Sequence, residues 1–129
     1  MRVLITGSRD ASKSMLSKAD EVVAWCAKEG HSLIVGDAPG VDRRVRQQAV
    51  VNKVPVKVYG AYGKIREPGI GGNWEKRFYT KGTYPERDIV MARECDMCVA
   101  VWNGTSRGTK ITFEAARRLG KIVHVRKFN

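Results

Sequence analysis

A strand, a turn, a helix and a second strand follow one another in residues 97–125, MCVAVWNGTSRGTKITFEAARRLGKIVHV. The apolar runs predict strands over 97–102 and 122–125, and the helical spacing of apolar residues between them predicts a helix over 108–119. Two strands joined through a helix form a βαβ unit, in which both strands lie parallel in one sheet. This segment therefore predicts an α/β fold.

The same alternation extends back to the first residues of the chain. Apolar runs predict three further strands, and helical periodicity predicts three further helices. The predicted strands are 2–6, 33–35 and 55–59, and the predicted helices are 11–29, 41–51 and 85–94. Strands that alternate with helices build a sheet with helices on both faces. We therefore predict a Rossmann-like three-layer α/β/α sandwich with a five-stranded, mainly parallel sheet.

The length of 129 residues suits one domain, which we assign to residues 1–129. One segment interrupts the regular alternation. Residues 60–84 contain six glycines and no convincing period. A connection of that length is unusual in a compact domain unless it serves function, so we predict a long functional or mobile loop there.

Composition excludes several classes of protein. The apolar runs are too short for a membrane-spanning helix, and the N-terminus lacks the long apolar region of a signal peptide, which favours a cytoplasmic location. Three cysteines argue against a disulfide framework. Cys95 and Cys98 form a C-x-x-C, but no second pair or nearby His completes a metal site. We expect two buried thiols there, no metal and no cofactor.

The chain is strongly basic, with 24 Lys and Arg against 13 Asp and Glu and a net charge of +11. Such a surplus attracts polyanions, which include nucleic acids and the phosphates of nucleotides. It also serves solubility, so charge alone does not identify a partner.

In a parallel sheet of the predicted type, the ligand crevice lies beyond the carboxyl ends of the strands. Four loops follow predicted strands and meet at that edge. They are residues 7–9, 36–42, 60–84 and 103–109. We therefore expect a small-molecule site to be built from these loops.

The loop 103–109 has the composition of an anion site. Its small residues allow a ligand to approach the backbone, and the free N–H groups of the following helix point out of the helix N-terminus. Ser106 and Thr109 add hydroxyl donors, and Arg107 adds a cation next to Gly108. We predict that these four residues bind phosphate. An ordinary turn capped by Ser106 or Thr109 accounts for the same pattern.

Gly7, Ser8 and Arg9 repeat this arrangement after the first strand, without the G-x-G-x-x-G fingerprint of dinucleotide-binding proteins. We include all three as candidate nucleotide-binding residues. Alternatively, Ser8 caps the first helix and Arg9 is a solvated surface residue.

The loop GDAPGVD, residues 36–42, places two carboxylates at the same edge. Asp37 lies at the carboxyl end of a strand, the position from which carboxylates often hold ribose hydroxyls. Asp42 falls in the first turn of the next helix, where an acid also has a structural use through the helix dipole. Gly36, Asp37, Gly40 and Asp42 are our further candidate nucleotide-binding residues.

Four motifs in this order resemble the SLOG superfamily, which includes the DNA-processing protein Smf/DprA and the lonely-guy cytokinin-activating enzymes. The sequence is most similar to its small stand-alone YspA and YpsA-related branch. The motifs are MRVLITGSRD at 1–10, GDAPGVD at 36–42, the spacing of Pro85, Arg87, Met91 and Asp96, and SRGT at 106–109.

The resemblance implies a Rossmann-like fold that binds nucleotides or nucleotide-derived ligands, with a phosphate at the SRGT turn. It also implies that Arg87 lines the same pocket as residues 7–9 and 36–42. Homodimers are common in the superfamily, so the resemblance implies a homodimer here.

The lonely-guy enzymes cleave the N-glycosidic bond of nucleoside monophosphates and carry the signature P-G-G-x-G-T-x-x-E. Arg87 matches the Arg that precedes this signature, and Gly108 and Thr109 match its G-T. The signature's Glu is replaced by Thr112, and a hydroxyl does not stabilise the positive charge that develops on the ribose. A glycosidase would therefore need another carboxylate.

Three hypotheses follow. In the first, the chain binds a phosphorylated nucleoside or an ADP-ribose-like molecule as a sensor or sequestering protein. In the second, it is a nucleotide N-glycosidase with Asp37, Asp42 and Arg87 as catalytic candidates. In the third, it binds single-stranded DNA. Cations and aromatic rings that suit the third are Lys64, Arg66, Trp74, Lys76, Arg77, Phe78, Tyr79 and Lys81.

Overall fold

The computed structural model describes residues 1–66 and 75–128. They form an alternating series of strands and helices. The strands are β1 (Arg2–Gly7), β2 (Ser32–Gly36), β3 (Val56–Gly60), β4 (Glu75–Tyr79), β5 (Met97–Trp102) and β6 (Ile122–Lys127). The helices are α1 (Lys13–Glu29), α2 (Val41–Val51), α3 (Tyr84–Glu94) and α4 (Arg107–Arg118). None of these helices, in the described part of the chain, is long and apolar enough to cross a membrane.

The strands form one parallel sheet in the order β4-β3-β2-β1-β5-β6. Neighbouring residues of β1 face opposite sides of this sheet, as strand geometry requires. Val3 and Ile5 pack with residues of α1 and α2, whereas Leu4 packs with residues of α3 and α4. The predicted three-layer α/β/α, Rossmann-like fold is confirmed.

The predicted count of five strands is wrong, because β4 is a sixth strand within the predicted loop 60–84. The segment EKRFY lacks an apolar run, and four of its five residues are exposed at the edge of the sheet. It pairs with β3, so that Tyr59 lies beside Phe78. An edge strand of this composition carries no hydrophobic signal. The rest of that predicted loop includes residues 67–74, with Trp74, which lie outside the described residues.

The order of the strands reverses at the centre of the sheet. From β1 the chain adds β2, β3 and β4 on one side, and it then adds β5 and β6 on the other. The reversal lies between β1 and β5, which is where sheets of this kind open a crevice at the carboxyl ends of their strands.

The β2–α2 loop packs tightly against the β1–α1 loop at this crevice. Gly40 has φ +80°, and a Cβ at its position would lie 2.3 Å from the carbonyl oxygen of Arg9 and 2.5 Å from that of Ser8. Both the positive φ and the close approach require glycine. The two loops are thereby held together at the edge that carries the predicted site.

Candidate functional site

A pocket of about 260 Å³ opens at the crevice between β1 and β5. Residues from five segments of the described chain line it, including loops that follow β1 and β2 and the first turns of α3 and α4. The lining residues are Thr6, Gly7, Arg9, Ala38, Asp42, Arg66, Tyr84, Arg87, Asp88, Met91, Ser106, Gly108, Thr109 and Thr112. The pocket therefore brings together residues from three of the four loops predicted to form the site, and two residues, Arg66 and Tyr84, from the fourth.

The N-terminus of α4 forms one wall of the pocket. Ser106 occupies the N-cap position, but its side chain makes no capping hydrogen bond. Its hydroxyl lies 3.0 Å from that of Thr109 instead. The turn is closed by Asn103, whose side-chain oxygen accepts hydrogen bonds from the backbone N–H groups of Thr105 and Ser106, each at 2.9 Å. The first-turn N–H groups of α4 point out of the helix end beside these hydroxyls, an arrangement that suits an anion.

Arginine side chains supply positive charge on the opposite side, where they surround Asp37. Arg66 donates three hydrogen bonds to this carboxylate, from its backbone N–H at 2.8 Å, from Nε at 3.1 Å and from Nη2 at 2.8 Å. Arg87 donates a fourth from Nη1 at 2.8 Å. The ring of Tyr84 stacks against both guanidinium groups, at 4.2 Å from Cζ of Arg66 and 5.2 Å from Cζ of Arg87. This network fixes both cations at the pocket.

Asp37 is fully buried beneath the arginines and does not line the pocket. Burial raises the pKa of its carboxyl, but the hydrogen bonds and charge of Arg66, with that of Arg87, outweigh burial and hold the pKa below its usual value. With both oxygens engaged, Asp37 positions cations rather than presenting a free acceptor to a ribose. Gly36 beside it admits this cluster, because a Cβ there would lie 2.7 Å from Oδ2 of Asp42 and 2.9 Å from Nη1 of Arg87.

Asp42 is a buried carboxyl on the pocket wall. It lies in the first turn of α2, and its Oδ2 accepts a hydrogen bond from the backbone N–H of Ala38 at 3.2 Å. Burial raises the pKa of Asp42 to about 7, against the opposing charge of Arg87. The side chain is thus poised between its neutral and ionised forms near pH 7.

A second buried carboxyl, Asp88, also lines the pocket, and the sequence analysis missed it. Its Oδ1 accepts a hydrogen bond from Nε of Arg87 at 3.0 Å. Burial raises its pKa, and the charge of Arg87 opposes that shift. The sequence does carry a signal. Arg87, Asp88, Met91 and Ala92 form the buried stripe of α3, so the helical period places two charged residues on an otherwise apolar face.

Thr112 occupies the position of the lonely-guy Glu and lies in the pocket wall. Its hydroxyl donates a hydrogen bond to the carbonyl oxygen of Gly108 at 2.9 Å. It therefore supports the first turn of α4.

Some of the other predicted site residues line the pocket, and others support the loops that form it. Gly7 and Arg9 line the pocket. Ser8 is fully buried, and its Oγ accepts a hydrogen bond from the backbone N–H of Asn103 at 3.1 Å, which ties the loops after β1 and β5 together. The N-cap of α1 is Ser12, so Ser8 does not cap that helix. Arg107 is exposed and is not among the lining residues.

Of the cations and rings proposed for nucleic acid, Lys76, Arg77, Phe78 and Tyr79 lie on β4, whereas Arg66 lines the pocket. Phe78 and Tyr79 are exposed there. The ring of Phe78 stacks with that of Tyr59 at 5.2 Å, and Nζ of Lys57 lies 4.6 Å from its centroid. Of the two rings on β4, that of Phe78 is therefore already engaged within the sheet.

The C-x-x-C pair lies in the core. Cys95 and Cys98 are both buried and free. Burial raises the pKa of each thiol, which keeps them in the unreactive protonated form.

No family model matches the sequence, and no curated protein matches it. Solved structures do match. A molybdenum-cofactor-binding protein from the phototrophic bacterium Rippkaea orientalis is 17% identical, with a TM-score of 0.86 over 99% of this chain and 77% of that one. The molybdenum cofactor carrier protein of Chlamydomonas reinhardtii is 19% identical, with a TM-score of 0.77 over 98% of this chain and 76% of that one.

The DNA-processing protein A of Helicobacter pylori, which binds single-stranded DNA, is 16% identical to this chain. Its TM-score is 0.74 over 97% of this chain, which spans 64% of the length of that protein. At these identities the likeness shows the fold. The predicted resemblance to the DNA-processing proteins is therefore confirmed for the fold, which this chain also shares with molybdenum cofactor carriers, while the small stand-alone branch stays a prediction.

Proposed function

We propose that this protein binds a phosphorylated, nucleotide-type ligand in the pocket between β1 and β5, as a sensor or sequestering protein. The observation that carries the proposal is that one pocket joins the N-terminus of α4 to Arg9, Arg66 and Arg87. Backbone N–H groups at a helix end, hydroxyls and guanidinium groups are the donors that bind phosphate most strongly. A homodimer, as the resemblance implies, belongs to the same proposal.

Within this site the phosphate contacts are assigned to Ser106, Gly108 and Thr109. The hydroxyls of Ser106 and Thr109 lie on the pocket wall, 3.0 Å from each other. Arg107, exposed at the start of the helix, adds long-range attraction to the anion. Arg66 and Arg87 face the same space while they remain anchored on Asp37.

Replacing Gly108 by Asp is expected to lower the affinity for adenosine 5′-monophosphate at least tenfold. A Cβ at Gly108 meets nothing within 4 Å, so the backbone tolerates the side chain. A carboxylate in the first turn also favours the helix dipole, so the fold is retained. The new charge occupies the anion site and repels the phosphate, and a like-charge pair near 4 Å is worth about 4 kcal/mol at an effective dielectric constant of 20. Isothermal titration calorimetry measures the loss.

The matched control is Gly108→Asn, which has the same shape and no charge. We expect it to bind the nucleotide more tightly than Gly108→Asp does. Equal affinity of both variants and the wild type would place the phosphate elsewhere. A short single-stranded DNA is titrated in parallel at two salt concentrations. Binding of DNA alone, with a steep loss at high salt, would favour the nucleic-acid function over the nucleotide site.

A second candidate function, N-glycosidic cleavage of a nucleoside monophosphate, is favoured by Asp42. Of the two acids proposed for catalysis, Asp42 lines the pocket, whereas Asp37 is occupied by Arg66 and Arg87. A buried carboxyl whose pKa lies near 7 suits a general acid at neutral pH. In this reaction water adds to C1′, the C1′–N bond breaks, Asp42 protonates the departing base, and the proton of the water restores the acid.

If the protein is such an enzyme, Asp42→Asn is expected to reduce the release of free base at least 100-fold, the usual contribution of a general acid. The nucleotide still binds, because the phosphate contacts are unchanged. Release of base is followed chromatographically, and binding by calorimetry. Absence of turnover by the wild type across ribonucleoside monophosphates would eliminate this candidate and leave binding as the function.

A further inference from the structure

Guanidinium groups and carboxyl groups share the walls of the pocket. Arg9, Arg66 and Arg87 line it together with the carboxyls of Asp42 and Asp88. A ligand that offered only hydrogen-bond acceptors would leave acceptor oxygens of both carboxyls unpaired in a buried site. The ligand that fits this pocket therefore presents hydrogen-bond donors beside its anionic group.

The two carboxyls retain acceptor capacity, in contrast to the third acid nearby. A carboxylate offers about four lone-pair sites. Asp37 receives four hydrogen bonds from Arg66 and Arg87 and is saturated. Asp42 receives one from Ala38, and Asp88 receives one from Arg87 and lies within hydrogen-bond reach of Thr112. Asp42 and Asp88 thus have acceptor sites left for a ligand.

The size of the pocket limits how much of a nucleotide it encloses. Its volume of about 260 Å³ lies below the roughly 300–1,000 Å³ typical of sites that bury most of a drug-sized ligand. A sugar phosphate fits this space. A nucleobase, and still more a second nucleotide, extends beyond it.

We infer that the pocket recognises the ribose phosphate part of its ligand, with Asp42 and Asp88 accepting hydrogen bonds from the ribose hydroxyls while the base lies outside. This inference rests on the proposed function, since it takes the phosphate to lie at α4. It names the substrate class as ribonucleotides in preference to 2′-deoxyribonucleotides, with little dependence on the base. In a ribonucleotide, hydroxyl donors lie on the same sugar ring that carries the phosphate.

We expect the site to distinguish ribonucleotides from deoxyribonucleotides, because an unpaired buried acceptor costs binding free energy. When a ligand lacks the hydroxyl, the carboxyl that would accept from it is left without a partner in a desolvated site. A site built to bond a hydroxyl rejects the analogue without it more strongly than a purely apolar site would. We expect adenosine 5′-monophosphate to bind at least tenfold more tightly than 2′-deoxyadenosine 5′-monophosphate. Guanosine 5′-monophosphate and ribose 5-phosphate are expected to bind within about fivefold of adenosine 5′-monophosphate.

The test is calorimetric titration of the full chain with these four compounds, repeated for Asp88→Asn and Asp42→Asn. Each variant is expected to reduce the ratio of ribo- to deoxyribonucleotide affinity at least fivefold. Glu29→Gln removes one exposed acid at the end of α1 and is expected to keep the ratio of the wild type. Thermal unfolding verifies that each variant is folded, and two variants in separate helices guard against the failure of one.

The outcomes separate the two proposals. Equal affinity for the ribo- and deoxyribonucleotide overturns this inference and leaves the proposed function standing. Binding of adenosine 5′-monophosphate without ribose 5-phosphate also overturns it, because the base would then be recognised. Binding of none of the four compounds overturns the proposed function, and the inference falls with it.

Discussion

Asp37→Ala is expected to lower the free energy of unfolding by about 3–5 kcal/mol, the range for removing one partner of a buried ion pair. Asp37 is fully buried, and Arg87 is nearly so. Without the carboxylate, the guanidinium of Arg87 keeps its hydrogen bonds to the Tyr59 carbonyl oxygen and to Asp88, but it loses its closest charge partner. Chemical denaturation of the wild type and the variant at pH 7 measures the difference.

The matched control is Asp20→Ala, which removes an equally short pair in an exposed setting. Asp20 and Arg44 form two hydrogen bonds of 2.7 Å, with 31% and 37% of their side chains exposed. Water compensates such a pair, so we expect a loss below about 1 kcal/mol. Similar losses for the two variants would show that the Asp37 cluster is solvated rather than buried.

The effect of Asp37→Ala also depends on pH in a defined direction. Burial raises the pKa of Asp37, but Arg66 and Arg87 hold it below the usual value of 3.8. A carboxyl with a lowered pKa in the folded state stabilises the protein above its unfolded pKa, and that contribution is lost as pH falls through the folded pKa. The difference between wild type and variant is therefore expected to shrink in strong acid.

The presence or absence of an apolar run decides which strands could be predicted from the sequence. The apolar runs of β1, β2, β3 and β5 are buried in the sheet, whereas that of β6 is mostly exposed, and all five produced a clear hydrophobic signal. β4 produced no such signal, because it lies exposed at the edge of the sheet. Its first residue is held by an ion pair rather than by apolar contacts. Glu75 forms a 2.7 Å ion pair with the fully buried Arg46 of α2. A pairing between two charged residues 29 positions apart leaves no periodic pattern in the sequence.

Part of the site was also predictable from the sequence. Local pattern was sufficient to place the loops after β1, β2 and β5 at the pocket, because glycines and hydroxyl residues at the ends of strands are visible in the sequence. That Asp88 lines the pocket and Asp37 does not depends on three-dimensional pairing. Arg66 and Arg87 converge on Asp37 from 29 and 50 residues away. Which acid is saturated and which is left to face the pocket is decided by those two arginines.

Asp42→Asn is expected to make the protein more stable at pH 8 than the wild type, by up to about 4 kcal/mol. The pKa of Asp42 rises from 3.8 to about 7 because the carboxyl is buried, and each pKa unit corresponds to about 1.4 kcal/mol. Between these two values the native carboxyl stays protonated while the unfolded chain loses its proton. The unfolded state then binds fewer protons, so the stability of the wild type falls as pH rises from about 4 to about 7.

The variant removes this slope, because an amide does not titrate. Its side-chain oxygen still accepts from the N–H of Ala38, so the loop that carries the site keeps its geometry. Urea unfolding of both proteins at intervals from pH 4 to pH 8 measures the difference, and every other titrating group cancels in it. Parallel curves would show that Asp42 is hydrated and ionised in the native state. A difference that grows up to about pH 7 and then levels off would show instead that the protein carries a buried acid at the cost of stability, as expected for a residue retained for its ligand.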